Sequence, residues 1–162
     1  ELNIVLDDNT CVINFRGGEY KTVSNLIARS EYWKDSINHM LSINSNMKFI
    51  IITDDVECAK HYIGDYSCYH LDIGFDFYVI NKSKYVILSN SSFGWWAAWL
   101  SKESNLTIAP QYWSQHNTSD GYWGLGDQYT RCCHYMSRDG ILLDYEECKK
   151  NAMEYYKNNN LI

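Results

Sequence analysis

A chain of 162 residues is the length of one ordinary domain and can bury about two thirds of the surface that its unfolded form exposes. Hydrophobic residues at 46% and aromatic residues at 15% exclude disorder, and no apolar run approaches the roughly 20 residues that span a bilayer. A formal net charge of -6 argues against nucleic acid or an anionic membrane as the main partner, so any phosphate has to be met by local groups.

Cys11, Cys58, Cys68, Cys132, Cys133 and Cys148 form no CxxC pair and no zinc-type spacing with histidine. Their scatter suits reduced thiols in a cytosolic chain better than a disulfide framework. The Asn-x-Ser/Thr triplets at Asn81, Asn90, Asn105 and Asn117 become glycan acceptors only inside a secretory lumen. The chain opens on Glu1 with no initiator Met, which is expected of a piece excised from a longer polypeptide.

Residues 3–6 are apolar and extended, and Asp7-Asp8-Asn9 is a turn. Residues 11–15 are a short apolar run bounded by turn residues, the pattern of a strand covered on both faces. Arg16-Gly17-Gly18-Glu19 follows at its end. Two glycines let backbone approach a ligand closely, and the Arg offers a fork to phosphate; a plain turn with a surface Arg accounts for the same residues.

The spacing of Tyr32, Trp33, Ile37, Met40 and Leu41 predicts a helix over 29–42 with these side chains in the core. Residues 48–53 are the second strand, ending in Asp54-Asp55, and 56–62 a short helix that one of those acids can cap. A third strand is expected over 67–71, and a turn or two of helix over 74–81 in which Asp76 acts as a cap. Residues 84–88 are a fourth strand, and 106–109 a fifth, ended by Pro110.

Between them lies Ser89-Asn90-Ser91-Ser92-Phe93-Gly94-Trp95-Trp96-Ala97-Ala98-Trp99-Leu100, where a strand passes into a helix through small hydroxylated residues. First-turn N–H groups and the positive end of a helix dipole suit a phosphate there. The structural alternative is a simple N-cap at Ser91 or Ser92 with the tryptophans as core.

Past Pro110, Tyr112, Trp113, Tyr122, Trp123 and Tyr129 sit among glycines and amides, a composition that suits either sugar faces or loop packing. Gly124-x-Gly126 follows no strand and is no dinucleotide signature. Cys132-Cys133-His134 is discounted as a metal site because adjacent side chains rarely point the same way. Asp144 and Glu147 form a capping box for a last helix with Cys148, Ala152 and Tyr155 inward, and the tail at 158–160 is expected to fray.

Short strands alternating with helices predict a three-layer α/β domain with a mainly parallel sheet, one domain over 1–162. Ligands of such sheets bind at the carboxyl ends of strands, which sets Arg16, Asp54, Asp55 and Ser89 to Ser92 along one edge.

The stretch 89–100 resembles the last signature of the α-1,2-fucosyltransferases, glycosyltransferase family 11. Fucosyltransferases of this and related families also carry His-x-Arg-Arg/Gly-x-Asp/Glu after the first strand of the nucleotide-binding domain. Here Asn14, Arg16, Gly17 and Glu19 stand in that motif. The resemblance implies a Rossmann-like domain, the donor-binding C-terminal half of a GT-B-type enzyme, with an N-terminal acceptor domain supplied by a longer chain or a separate partner. It implies inverting transfer of L-fucose from GDP-fucose to a glycan hydroxyl in α-1,2 linkage, with no metal and no other cofactor. Arg16 would hold the β-phosphate, with Asn14, Gly17, Gly18, Ser89, Asn90, Ser91, Ser92 and Phe93 around the donor. Asp55, or else Asp54, would accept the N1 and N2 hydrogens of guanine. Asn14 cannot titrate as the usual His does, and Glu19 either orients Arg16 or acts as a base; the former fits a carboxylate beside Arg. Two alternatives stand beside this reading: a transferase using another nucleotide sugar, and a non-catalytic nucleotide- or glycan-binding module of a polysaccharide-biosynthesis protein. A microbial chain would be cytoplasmic or peripheral on the cytoplasmic membrane face; a eukaryotic one would belong to the Golgi membrane with this domain in the lumen.

Overall fold

The computed structural model describes residues 4–23, 25–114 and 129–160. Seven strands form one sheet: β1 (Thr10–Phe15), β2 (Lys48–Thr53), β3 (Ser67–Tyr69), β4 (Tyr85–Leu88), β5 (Leu106–Pro110), β6 (His134–Met136) and β7 (Leu142–Leu143). Their order is β3-β2-β1-β4-β5-β6-β7. Every neighbouring pair is parallel except β6 with β7. Among the described residues five α-helices accompany the sheet: α1 (Ser30–Ile43), α2 (Val56–Ile63), α3 (Ile73–Lys82), α4 (Ser92–Trp99) and α5 (Tyr145–Asn158).

The alternation of side chains along the strands builds two cores. Cys11, Ile13, Phe15, Phe49, Ile51, Ile87 and Ile108 point to one face, where Tyr32, Trp33, Ile37 and Met40 of α1 and Ala59 of α2 cover them. Val12, Ile52, Val86, Leu88 and Ala109 point to the other, against Val79 and Ile80 of α3, Ala97 and Ala98 of α4, and Cys148, Ala152 and Tyr156 of α5. Central strands buried on both faces read as unbroken apolar runs, which is why 11–15 and 48–53 were legible without any alternation.

The three-layer, doubly wound α/β architecture is therefore as expected, with several local differences. The third helix has ten residues rather than a turn or two, and its cap is Asp72, whose carboxylate accepts from the N–H groups of Gly74 and Phe75. Asp76 is not a cap. The last helix begins at the expected capping box, but it turns Tyr156 inward in place of Tyr155. Strands β6 and β7 were not anticipated, since three- and two-residue strands carry almost no periodic signal. Pro110 is the last residue of β5 rather than a stop beyond it.

In α4 the small residues Gly94, Ala97 and Ala98 face the sheet, while Trp96 and Trp99 are each about half exposed. The tryptophans are thus not core, and the helix packs closely because its inner face is small. Gly94 lies directly over Asn14 of β1: a Cβ there would collide with the Asn14 amide and sit 3.2 Å from Leu88 Cδ2. Gly94→Ala is expected to destabilise the domain by about 1–3 kcal/mol through overpacking. Urea denaturation of the variant checks this, and an unchanged midpoint would show that α4 can slide off the strand ends.

Candidate functional site

The sheet order reverses between β1 and β4, one neighbour running outward through β2 and the other through β5. Crossover helices leave in opposite directions at such a point, and a crevice opens at the carboxyl ends of the two strands. A cleft of about 410 Å³ occupies it.

Arg16 follows β1 directly, and its guanidinium stands in the cleft, held by two carboxylates. Nη1 is 2.6 Å from Asp54 Oδ2. Nη2 donates to both oxygens of Glu19, at 2.7 and 2.8 Å. Asp54 also accepts from the Gly17 N–H at 2.8 Å, so one carboxylate at the end of β2 ties down both the Arg and the backbone beside it. The hydrogen bonds with Glu19, then the charge of Asp54, push the Arg16 pKa up, and the same pairing holds the Glu19 carboxyl below its usual range. Glu19 is an ionised partner in this state, not a poised base.

The two glycines have separate reasons. A Cβ at Gly17 would come 2.6 Å from Asp55 Cβ, so only glycine lets the loop after β1 pass the end of β2. Gly18, with φ of +22°, leaves the space that the Asp54 carboxylate occupies.

The residues expected around the donor separate into two layers. Asn14, Arg16, Glu19, Asp54, Ser91, Ser92 and Phe93 line the cleft. Ser89 and Asn90 lie buried beneath it. There Ser89 donates from its backbone N–H to the Asn14 carbonyl at 2.9 Å. Its hydroxyl lies 3.3 Å from Asn14 Oδ1, while the Asn90 amide donates to the Leu26 carbonyl at 2.8 Å. Ser91 is the N-cap of α4, yet its side chain makes no capping hydrogen bond. Ser91, Ser92 and Phe93, at the start of this helix, line the same cleft as Arg16, where first-turn N–H groups without a side-chain cap suit an anion.

Asp55, favoured above for reading guanine, is engaged elsewhere. It caps α2, accepting from the Cys58 N–H at 3.1 Å, and its second oxygen pairs with Lys21 Nζ at 2.8 Å. Lys21, then the Cys58 N–H, hold its carboxyl below the ordinary range. Asp55 does not line the cleft.

Asp76 and His70, which the sequence did not single out as site residues, do line it. Asp76 is buried in the first turn of α3, accepts from the Leu71 N–H at 3.1 Å and lies 3.7 Å from His70 Nδ1. Burial pushes its carboxyl up from 3.8. His70 directly follows β3, so the strand-end rule that selected Arg16 and Asp54 could have found it.

The aromatic stretch at 122–128, the Gly124-x-Gly126 pair and the triplet at Asn117 lie outside the described residues. All six cysteines are unpaired. Among the described residues no helix is long and apolar enough to cross a membrane, and no three His, Cys, Asp or Glu side chains are grouped to hold a metal ion.

Comparison with known proteins adds a family. The profile of Glycosyl transferase family 11 matches residues 3–123. An alpha-1,2-colitosyltransferase of Escherichia coli is 27% identical over 145 residues, covering 80% of this chain and 49% of that protein. The O-antigen biosynthesis glycosyltransferase WbnK of Escherichia coli is 24% identical over 122 residues, covering 67% of this chain and 40% of that protein. The chain thus spans half or less of the length of both curated relatives. Among solved structures, an S. aureus MnaA-UDP co-structure matches 93% of this chain and 38% of that one, with a TM-score of 0.45 and 10% identity.

A raised folded-state pKa means that the fold favours protonated Asp76. Its contribution is full below the ordinary value of 3.8 and is lost as pH rises through the folded value. Asp76→Asn removes this dependence, so the stability of the wild type relative to the variant should fall as pH rises above the ordinary value of 3.8. Urea denaturation of both chains at rising pH measures it; a constant difference would mean that burial does not hold this carboxyl up.

Proposed function

Since this chain belongs to glycosyl transferase family 11, we propose that it is the donor-binding domain of an α-1,2-fucosyltransferase, taking GDP-fucose for inverting transfer of L-fucose to a glycan hydroxyl. The observation that carries the reading is the convergence of Arg16 with the uncapped first turn of α4 in one cleft at the β1–β4 switch point.

In this reading the diphosphate of GDP enters between the Arg16 guanidinium and the α4 N-terminus. Glu19, 67% exposed, is the partner that gives way, because an exposed ion pair contributes little. Asp54, 20% exposed and also bonded to the Gly17 N–H, stays and keeps the guanidinium aimed. Charge gathering on the leaving GDP is met by Arg16 and by the Ser91 and Ser92 groups, a preorganised stabilisation that needs no metal ion in this scheme. Glu19 and Asp54 are positioning residues. For guanine, Asp76 is better placed than Asp55: it lines the cleft, as Asp55 does not, and a desolvated carboxylate gains from two N–H donors such as guanine N1 and N2.

One further donor follows from the relatives: the name of the alpha-1,2-colitosyltransferase makes a colitosyl nucleotide the second to try.

Calorimetric titration with GDP-fucose, GDP and UDP tests the reading. GDP and GDP-fucose are expected to bind and UDP far more weakly. Arg16→Ala should cost about 1.5–3 kcal/mol, roughly 10- to 150-fold in affinity. Asp54→Asn should weaken binding more than Glu19→Gln does. A folded chain that binds none of the three would sink the proposal.

A further inference from the structure

The adjacent cysteines at the start of β6 do converge, contrary to the expectation from their spacing. Cys132 Sγ and Cys133 Sγ are 3.6 Å apart, and the Thr130 hydroxyl lies 3.1 Å from the Cys132 sulfur. A tight corner produces this: the Cys133 N–H donates back to the Thr130 carbonyl at 3.2 Å, folding both side chains to one side. The Tyr135 hydroxyl, accepting from the Thr130 N–H at 2.6 Å, braces the corner against β6. Cys132 is half-buried and reachable, whereas Cys133 is 1% exposed and packs among Tyr129 and Tyr135.

We infer that Cys132 and Cys133 form a vicinal dithiol site, one that a trivalent arsenical bridges and that a hydroperoxide oxidises to the disulfide between them. The two sulfurs have unequal roles. The hydrogen bond from Cys133 pulls the Cys132 thiol down to about 6, while the same bond and burial push Cys133 up. Cys132, the more accessible and the more acidic of the two, is the nucleophile, and buried Cys133 resolves. The Cys132 thiolate attacks the outer oxygen of the hydroperoxide, the O–O bond breaks, and the alcohol leaves with one proton, giving a sulfenic acid. Cys133 sulfur then displaces that hydroxyl, which departs as water with the Cys133 proton. Two thiols lose two electrons and the hydroperoxide gains them. Closing the ring brings the sulfurs to about 2.05 Å. Adjacent Cα atoms stand only about 3.8 Å apart, below the usual disulfide span of about 4.4–6.8 Å, so the ring is strained and readily reduced. Uptake of phenylarsine oxide forms two As–S bonds and releases one water.

Intact-mass analysis of the full chain tests this with phenylarsine oxide and with hydrogen peroxide. The wild type should retain one arsenical in excess monothiol and release it to dithiothreitol. Cys132→Ser and Cys133→Ala should each lose that retained adduct. A Cys58→Ser, Cys68→Ser double variant, which removes the other half-buried thiols, should keep it. Limited peroxide should remove two hydrogens from the wild type, with the bridge mapping to residues 132 and 133, and none from Cys132→Ser. Circular dichroism confirms that the variants are folded, and Cys132→Ser at the half-buried position carries the test if Cys133→Ala unfolds. Retention of the adduct by folded Cys132→Ser would overturn the inference, as would peroxide leaving Cys133 free beside a sulfinic acid at Cys132.

Discussion

The seam between β1 and β4 is the constraint on which the site depends. Asn14 lies in register with Leu88, its carbonyl takes the Ser89 N–H, and its amide fills the space beneath Gly94. From the opposite face the Tyr32 hydroxyl donates to the Leu88 carbonyl at 2.6 Å. The end of β4 is thereby fixed from two sides before the chain turns into α4. The first turn of that helix carries no side-chain cap, and its residues Ser92 and Phe93 line the cleft. Asn14 serves here as a spacer between strand and helix.

A cation in an acidic chain needs a local reason to point where it does. Arg16 has two carboxylates of different kinds: Glu19 from its own loop, exposed, and Asp54 from the neighbouring strand end, mostly buried. The first is replaceable and the second is architectural, because Asp54 also holds the Gly17 N–H. A net charge of -6 is therefore compatible with phosphate recognition. What matters for a bound anion is the guanidinium and the helix terminus within reach, with distant surface charge screened over about 10 Å.

The polypeptide distributes its aromatic residues unevenly. Tyr32 and Trp33 fill the core under α1, whereas Trp96 and Trp99 of α4 stand half in solvent, with Trp95 stacked on Trp99 at 6.0 Å. The close approach of α4 to the sheet accounts for this division. A helix that sits low on strand ends needs Gly94, Ala97 and Ala98 beneath it, and its large residues are left for the outer face. The corner before β6 obeys similar logic, since one tight turn brings two neighbouring thiols together.

The amino-acid sequence by itself determined the architecture and most of the cleft edge. Apolar runs at 11–15, 48–53 and 84–88, separated by helical spacing, allow little besides a covered parallel sheet, and the strand-end rule then places Arg16, Asp54, Ser91 and Ser92 together. Local capping chemistry at Asp144 and Glu147 was equally legible, because a capping box lies within four residues. Only the tertiary structure decided which acid does what. Asp54 and Asp55 are neighbours with identical side chains, yet strand geometry turns one toward Arg16 and the other into the α2 cap and Lys21. Asp76 became a buried cleft residue because Asp72 had already taken the cap of α3, and the cysteine pair converged through a turn that no periodicity encodes. Spacing along a chain reports which face or edge a residue occupies; the partner it finds there depends on elements tens of residues away.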